Sequence, residues 1–179
     1  MKMTREIQTA SLAALALASL GVIADAGAGT ATGNLSVTAT VTNNCSIDST
    51  TALAFGSYDP AITNRAAGAD LQSSAGVIAL TCTSGATTAI TIGQGLTALA
   101  GSTDILPVRQ MSDGAAHLLG YSIYQTGAFS TVWGNTSGTA VAYSGTGAST
   151  NVSVYGVVPK GQNVPAGSYS DTVLVTVTF

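Results

Sequence analysis

The chain has 179 residues, of which only 7% are charged, and a formal net charge of −3. So few cations exclude a nucleic-acid surface, which needs clustered Lys and Arg to displace counterions. The low charge suits a protein packed against copies of itself, although an ordinary secreted β-protein covered in Thr, Ser, Asn, Gln and Gly fits the same composition.

At the start, Lys2 and Arg5 precede the uncharged run LAALALASLGVIA, which ends in Ala24-Asp25-Ala26. This pattern predicts a secretory signal peptide over residues 1–26, cleaved after Ala26, with Ala28 as the near alternative. A membrane anchor is the competing reading, since Ile7 to Ala24 is nearly long enough to span, but its Ala and Ser content is weakly apolar. What remains is the length of one domain, enough to bury roughly 68 to 70% of its unfolded surface.

Gly27-Ala28-Gly29-Thr30 reads as a flexible lead-in. The next stretch, NLSVTATVT, sets Leu35, Val37, Ala39 and Val41 on one face and Ser36, Thr38 and Thr40 on the other, the period of a β-strand. Cys45 and Cys82 are the only cysteines. Export places them in an oxidising compartment, and their wide separation excludes C-x-x-C redox chemistry, so they predict one structural disulfide worth roughly 4 kcal/mol by loop closure.

LAFGSY, GVIALTCT, TAITI, HLLGYSIYQ, TAVAYSG and NVSVYGVV read as further short strands separated by Gly, Asn and Ser clusters. The segment Asp59 to Asp70, with Pro60 and Arg65, reads as a surface loop, and GLTALAGSTD as one helical turn at most. The last stretch, SYSDTVLVTVTF, alternates again: Val173, Val175, Val177 and Phe179 share a face opposite Thr172, Leu174, Thr176 and Thr178. This spacing predicts an all-β antiparallel sandwich or barrel.

Little in the sequence speaks for catalysis. His117 is the only histidine, and the exported part holds no glutamate, only Asp48, Asp59, Asp70, Asp104, Asp113 and Asp171. His117 reads as a strand-edge residue with a satisfied ring nitrogen rather than a general base. Metal sites lack ligands once the cysteines are paired. Gly93-Gln94-Gly95-Leu96-Thr97-Ala98 matches a dinucleotide fingerprint, but that motif needs a long helix within a parallel unit, and an antiparallel context with Pro107 close behind predicts a turn. Sequons at Asn34, Asn135 and Asn151, and one overlapping Cys45, arise by chance in so Ser/Thr-rich a chain. No catalytic residue, cofactor, metal or small-molecule substrate is expected.

NNCSI, ALTCT, LLGYSIYQTGAFSTVWGN and VYGVVPKGQNVPAGSYSDTVLVTVTF together resemble the spore coat protein U domain family, which includes pilins of the archaic chaperone–usher pathway. The resemblance spans the whole exported chain, and YSIYQTGAFSTVWG and PAGSYSDTVLVTVTF carry most of it. It implies an immunoglobulin-like sandwich lacking its final strand, completed by donor-strand complementation. On that basis residues 27–42 are an N-terminal extension with donor strand, Leu35, Val37, Ala39 and Val41 being its plugs, and residues 43–179 are the domain. Val173, Val175, Val177 and Phe179 form the acceptor edge and chaperone contact.

The implied partners are a periplasmic chaperone, an outer-membrane usher and other copies or related pilins. The implied route runs through the inner membrane and periplasm to a surface fimbria serving adhesion and biofilm formation. A self-contained secreted coat or matrix protein is the alternative, in which the N-terminal strand folds back into its own sandwich.

Overall fold

The computed structural model describes residues 27–179. The signal peptide expected over residues 1–26 lies outside the described residues.

Every periodic segment of the domain that finds a neighbour becomes an antiparallel strand, and no α-helix occurs among the described residues. The strands are β1 (Cys45–Thr51), β2 (Leu71–Cys82), β3 (Thr87–Ile92), β4 (Arg109–Ser112), β5 (Leu118–Tyr124), β6 (Val141–Ser144), β7 (Ser149–Val158) and β8 (Val175–Thr178). They form two sheets, in the orders β1-β2-β7-β5-β4 and β6-β3-β8. Among the described residues one 3-10 turn occurs, Ser137–Thr139, and GLTALAGSTD, read as one helical turn at most, forms hydrogen-bonded turns.

The alternation of β2, β3, β5 and β7 sends Ile78, Leu80, Ile90, Ile92, Ile123 and Val154 between the two sheets, where all are buried. Each such side chain stabilises the fold by roughly 1.5 to 3 kcal/mol. Trp133 is fully buried among them and donates its indole N–H to the Ile90 carbonyl at 2.8 Å. Cys45 and Cys82 face each other in the β1–β2 ladder and are joined by a disulfide.

Two segments expected as strands have no ladder. Residues 34–42 carry no regular secondary structure, and neither do residues 53–58 of LAFGSY. Alternation prepares a segment for pairing, but a strand exists only where a second backbone takes up its N–H and C=O groups. Two strands had no periodic signal. β1 is an edge strand, exposed at nearly every residue, so its sequence has no buried face to reveal. β4 is only Arg109–Ser112, too short to show a period.

The final strand is also shorter than its alternation, Val175–Thr178, although Ser170 bridges Ser112 upstream of it. Residues 59–69 form a turn-rich loop. Buried Asn64 holds it together, accepting from the Asp59 N–H at 2.8 Å and donating to the Ala69 carbonyl at 2.8 Å.

Candidate functional site

β8 pairs with β3 along one edge only, and β1 pairs with β2 along one edge only. Their free edges flank a groove of about 550 Å³ whose walls are Thr50 to Leu53 on one side and Ser170 to Val175 on the other. Its floor is the sandwich interior: Ile78, Ile92, Ile123 and Val154. Beyond Leu53, Phe55, Met111 and Tyr169, which line both spaces, it runs on into a second hollow of about 580 Å³ bounded by residues 53–58 and 164–169.

Two glycines let Leu53 and Phe55 pack against the first sheet. A Cβ on Gly156 would lie 2.6 Å from Leu53 Cδ2 and 2.7 Å from Phe55 Cζ, and one on Gly76 would lie 3.2 Å from Leu53 Cβ. Phe55 also meets Tyr121 edge-on, with ring centroids 6.0 Å apart.

The valines of the last strand are covered from one side only. Val173, Val175 and Val177 are half-buried and packed against the core, the first two in the groove wall, while Val177 and the 52% exposed Phe179 lie outside the lining. An interior strand would bury such side chains, so this edge is apolar surface without a neighbour. At the other end of the chain Leu35, Val37 and Val41 are 86%, 85% and 83% exposed, and Ala39 is exposed as well.

A buried polar network sets the far wall. Arg109 is fully buried and donates from Nε to the Gly93 carbonyl and from one Nη to the carbonyls of Ile92 and Trp133, each at 2.8 Å. Its other Nη has no partner. Burial pushes the guanidinium down to about 10, against the opposing pull of Tyr121 and Asp171.

Asp171, in the groove wall, accepts from the Tyr121 hydroxyl at 2.6 Å, from the Leu96 N–H at 2.9 Å and from the Thr172 N–H at 2.8 Å. Burial, then the bond to Asp171, raises the Tyr121 phenol well above its ordinary range. Gly95, the second glycine of the Gly93-x-Gly95 motif, has φ +90, and a Cβ there would lie 2.1 Å from Asp171 Oδ2. The motif is a turn that admits a carboxylate wall, with no helix behind it.

His117 sits one residue before β5, its Nδ1 2.6 Å from Asp113 Oδ2. Asp113 also accepts from the Ala115 N–H, and its carboxyl is held below the ordinary range chiefly by His117. The pair ties the β4–β5 turn and lies outside the residues that line the groove. Among the described residues no cluster of His, Cys, Asp or Glu could hold a metal ion.

The groove residues Thr50, Thr51, Leu53, Phe55, Met111, Tyr169 and Asp171 had no sequence reading as a site. The available signals were LAFGSY, an alternating run that the fold gives no partner, and the phase of the last strand, which extends back through Asp171 to Tyr169. Arg109 offered no signal at all.

This architecture, two antiparallel sheets packed face to face and open along one edge, is an incomplete immunoglobulin-like sandwich. The profile of the Spore Coat Protein U domain matches residues 31–176, and the chain belongs to that family. It is 47% identical over 177 residues to Protein U of Myxococcus xanthus, an alignment covering 97% of this chain and 98% of that protein. Its fold is similar to a chain of the CsuC–CsuE chaperone–tip adhesion subunit pre-assembly complex from the archaic chaperone-usher Csu pili of Acinetobacter baumannii. There the TM-score is 0.51 at 22% identity, over 78% of this chain and 40% of that one.

Proposed function

We propose that this chain is a pilin: a non-catalytic structural subunit of a secreted surface fibre, assembled by chaperone–usher donor-strand exchange and serving adhesion and biofilm formation. The observation that carries the reading is the groove between the free edges of β1 and β8, walled by valines that are only half-buried. An extended segment laid along β8 supplies the missing ladder and covers those valines. Residues 30–42 have the required alternation, and their Leu35, Val37, Ala39 and Val41 are exposed.

Burying these four side chains is worth at most about 5 to 9 kcal/mol before entropy is subtracted. Each backbone hydrogen bond adds about 1 kcal/mol. A periplasmic chaperone strand holds the groove first, and the extension of the next copy replaces it at the usher. The family's name and the similarity to Protein U favour a second reading, a coat protein that folds and functions alone.

The deciding experiment expresses the exported chain with and without a chaperone, and with and without residues 27–42. The pilin reading expects an unstable or aggregating subunit without the chaperone, and no polymer without the extension. A stable chaperone-free monomer whose stability and assembly survive the deletion establishes the coat reading instead.

A further inference from the structure

The sandwich has two ends. At one, the base, β2 ends and β3 begins around residues 83–86, β6 turns into β7 around 145–148, and β1 starts and β8 ends. At the opposite end β3 releases the chain into residues 93–108, where Leu96, Leu99, Ile105, Leu106 and Val108 are all exposed.

That loop is held in shape. The Leu99 N–H donates to the Val108 carbonyl at 3.0 Å, the Val108 N–H to Ser102 Oγ at 2.9 Å, and the Asn135 N–H to the Asp104 carbonyl at 2.7 Å. Bonds on its own backbone therefore hold a cluster of large apolar side chains in water, which marks an interaction surface. Its root is joined to the groove wall through the Leu96 N–H and Asp171.

The occupant follows from the direction of a donor strand, and this step rests on the strand-exchange reading. The last stretch of chain runs from Tyr169 at the far end, along the groove wall to Val175, and on through β8 to Phe179 at the base. If residue 42 of the donor lay at the base of its acceptor, two bases would meet, each groove could take the other's strand, and the pair would close by two-fold symmetry. An open fibre requires residue 42 at the far end. From Val41 the chain has only about 14 Å of extended reach to Cys45. The base of the donating copy is thereby drawn over the end that carries residues 93–108.

The two surfaces suit each other. The base has a shallow hollow of about 270 Å³ beside the disulfide, lined by uncharged residues, Asn44, Cys45, Ser46, Thr83 and Gly147 among others, with the neighbouring Asp48 carboxylate taken up by the hydroxyls of Ser46, Thr81 and Ser149. In the loop the one charged group, Asp104, is taken up by the Gln94 side-chain amide at 2.8 Å. We propose that residues 93–108 form a subunit–subunit contact in which Leu99, Ile105 and Leu106 land on the base of the copy that donates its strand, around the disulfide hollow.

The test uses fibres of the full exported chain with p-benzoylphenylalanine in place of Leu106. Irradiation is expected to join residue 106 of one copy to residues 43–46, 83–86 or 145–148 of another. Adducts confined to the same copy, or to any other surface, overturn the contact. A second variant, Ile105→Ser with Leu106→Ser, keeps the donor strand and is expected to polymerise, but its fibres dissociate about tenfold faster in mild denaturant. Dissociation at the wild-type rate overturns the contact and leaves strand exchange standing. Fibres that still form after deletion of residues 27–42 overturn strand exchange itself, and the contact with it.

Discussion

Arg109 shows how far one side chain can set a fold of so few charges. Its guanidinium satisfies the carbonyls of Ile92 and Gly93, at the end of β3, and that of Trp133, so removing it orphans two buried acceptors and one half-buried one at once. Arg109→Ala is expected to cost about 3 kcal/mol or more, read as a lowered urea midpoint. Arg109→Lys, which keeps the charge but loses the planar fork, should fall between the two.

Asp48 is the opposite case, an exposed carboxylate. It is the extra residue of a bulge between Ile47 and Ser49, which turns it towards three hydroxyls. It accepts from Ser149 at 2.6 Å, Thr81 at 2.7 Å and Ser46 at 3.1 Å. The Ser149 bond, then Thr81, lowers its carboxyl below the ordinary 3.8. Because the folded value is the lower one, the stabilisation is present above 3.8 and is lost as pH falls through the folded value. Asp48→Asn should flatten that acid limb of the stability–pH curve by lowering stability above 3.8 while leaving the acid end nearly unchanged, as followed by thermal melts between pH 2 and 7.

Among the elements, β8 separates groove wall from core. Ile92, buried on the adjacent strand, should cost about 2 to 5 kcal/mol on truncation to Ala. Val175, its ladder partner, is half-buried, so Val175→Ser should cost the empty domain about 1 kcal/mol or less. The same change should weaken a bound donor peptide about tenfold, because only the filled groove covers that side chain completely; equal losses in both assays would make β8 an ordinary core strand. The contrast explains what the sequence could reveal. GVIALTCT, TAITI, HLLGYSIYQ and NVSVYGVV were legible as strands because one face of each is buried against a facing sheet. β1 was not, since an edge strand exposed along its length leaves no period. LAFGSY and NLSVTATVT have the period but no ladder, since pairing is decided by topology. The groove arises where two free edges come side by side, and local periodicity carries no record of that. YSIYQTGAFSTVWG, by contrast, is fold-keeping: Tyr121 anchors Asp171, Trp133 fills the centre, and Phe129, at φ +51, packs edge-on between Tyr124 and Tyr155.

At the scale of the whole molecule, an open groove means that the isolated domain and the filled domain differ in stability by the free energy of the inserted strand. A ligand that binds only the folded state stabilises it by RT ln(1 + [L]/Kd), about 2.7 kcal/mol at one hundred times Kd. For a domain of this size, that is a rise of about 5 to 11 °C in melting temperature. A peptide of residues 30–42, added to the chain lacking residues 27–42, should raise the melting temperature steadily with concentration. The same peptide carrying Leu35→Asp and Val37→Asp should leave it unchanged, because a charge buried without a partner in an apolar groove costs more than the ladder returns. If both peptides act alike, the backbone ladder alone drives insertion and the alternation of NLSVTATVT has no part in it. If neither acts, the groove is a fixed feature of a self-contained fold. Side-chain insertion predicts one further result: a peptide with Ser36→Asp and Thr38→Asp should bind nearly as well as the natural one, since those positions face away from the groove and keep their charge in water.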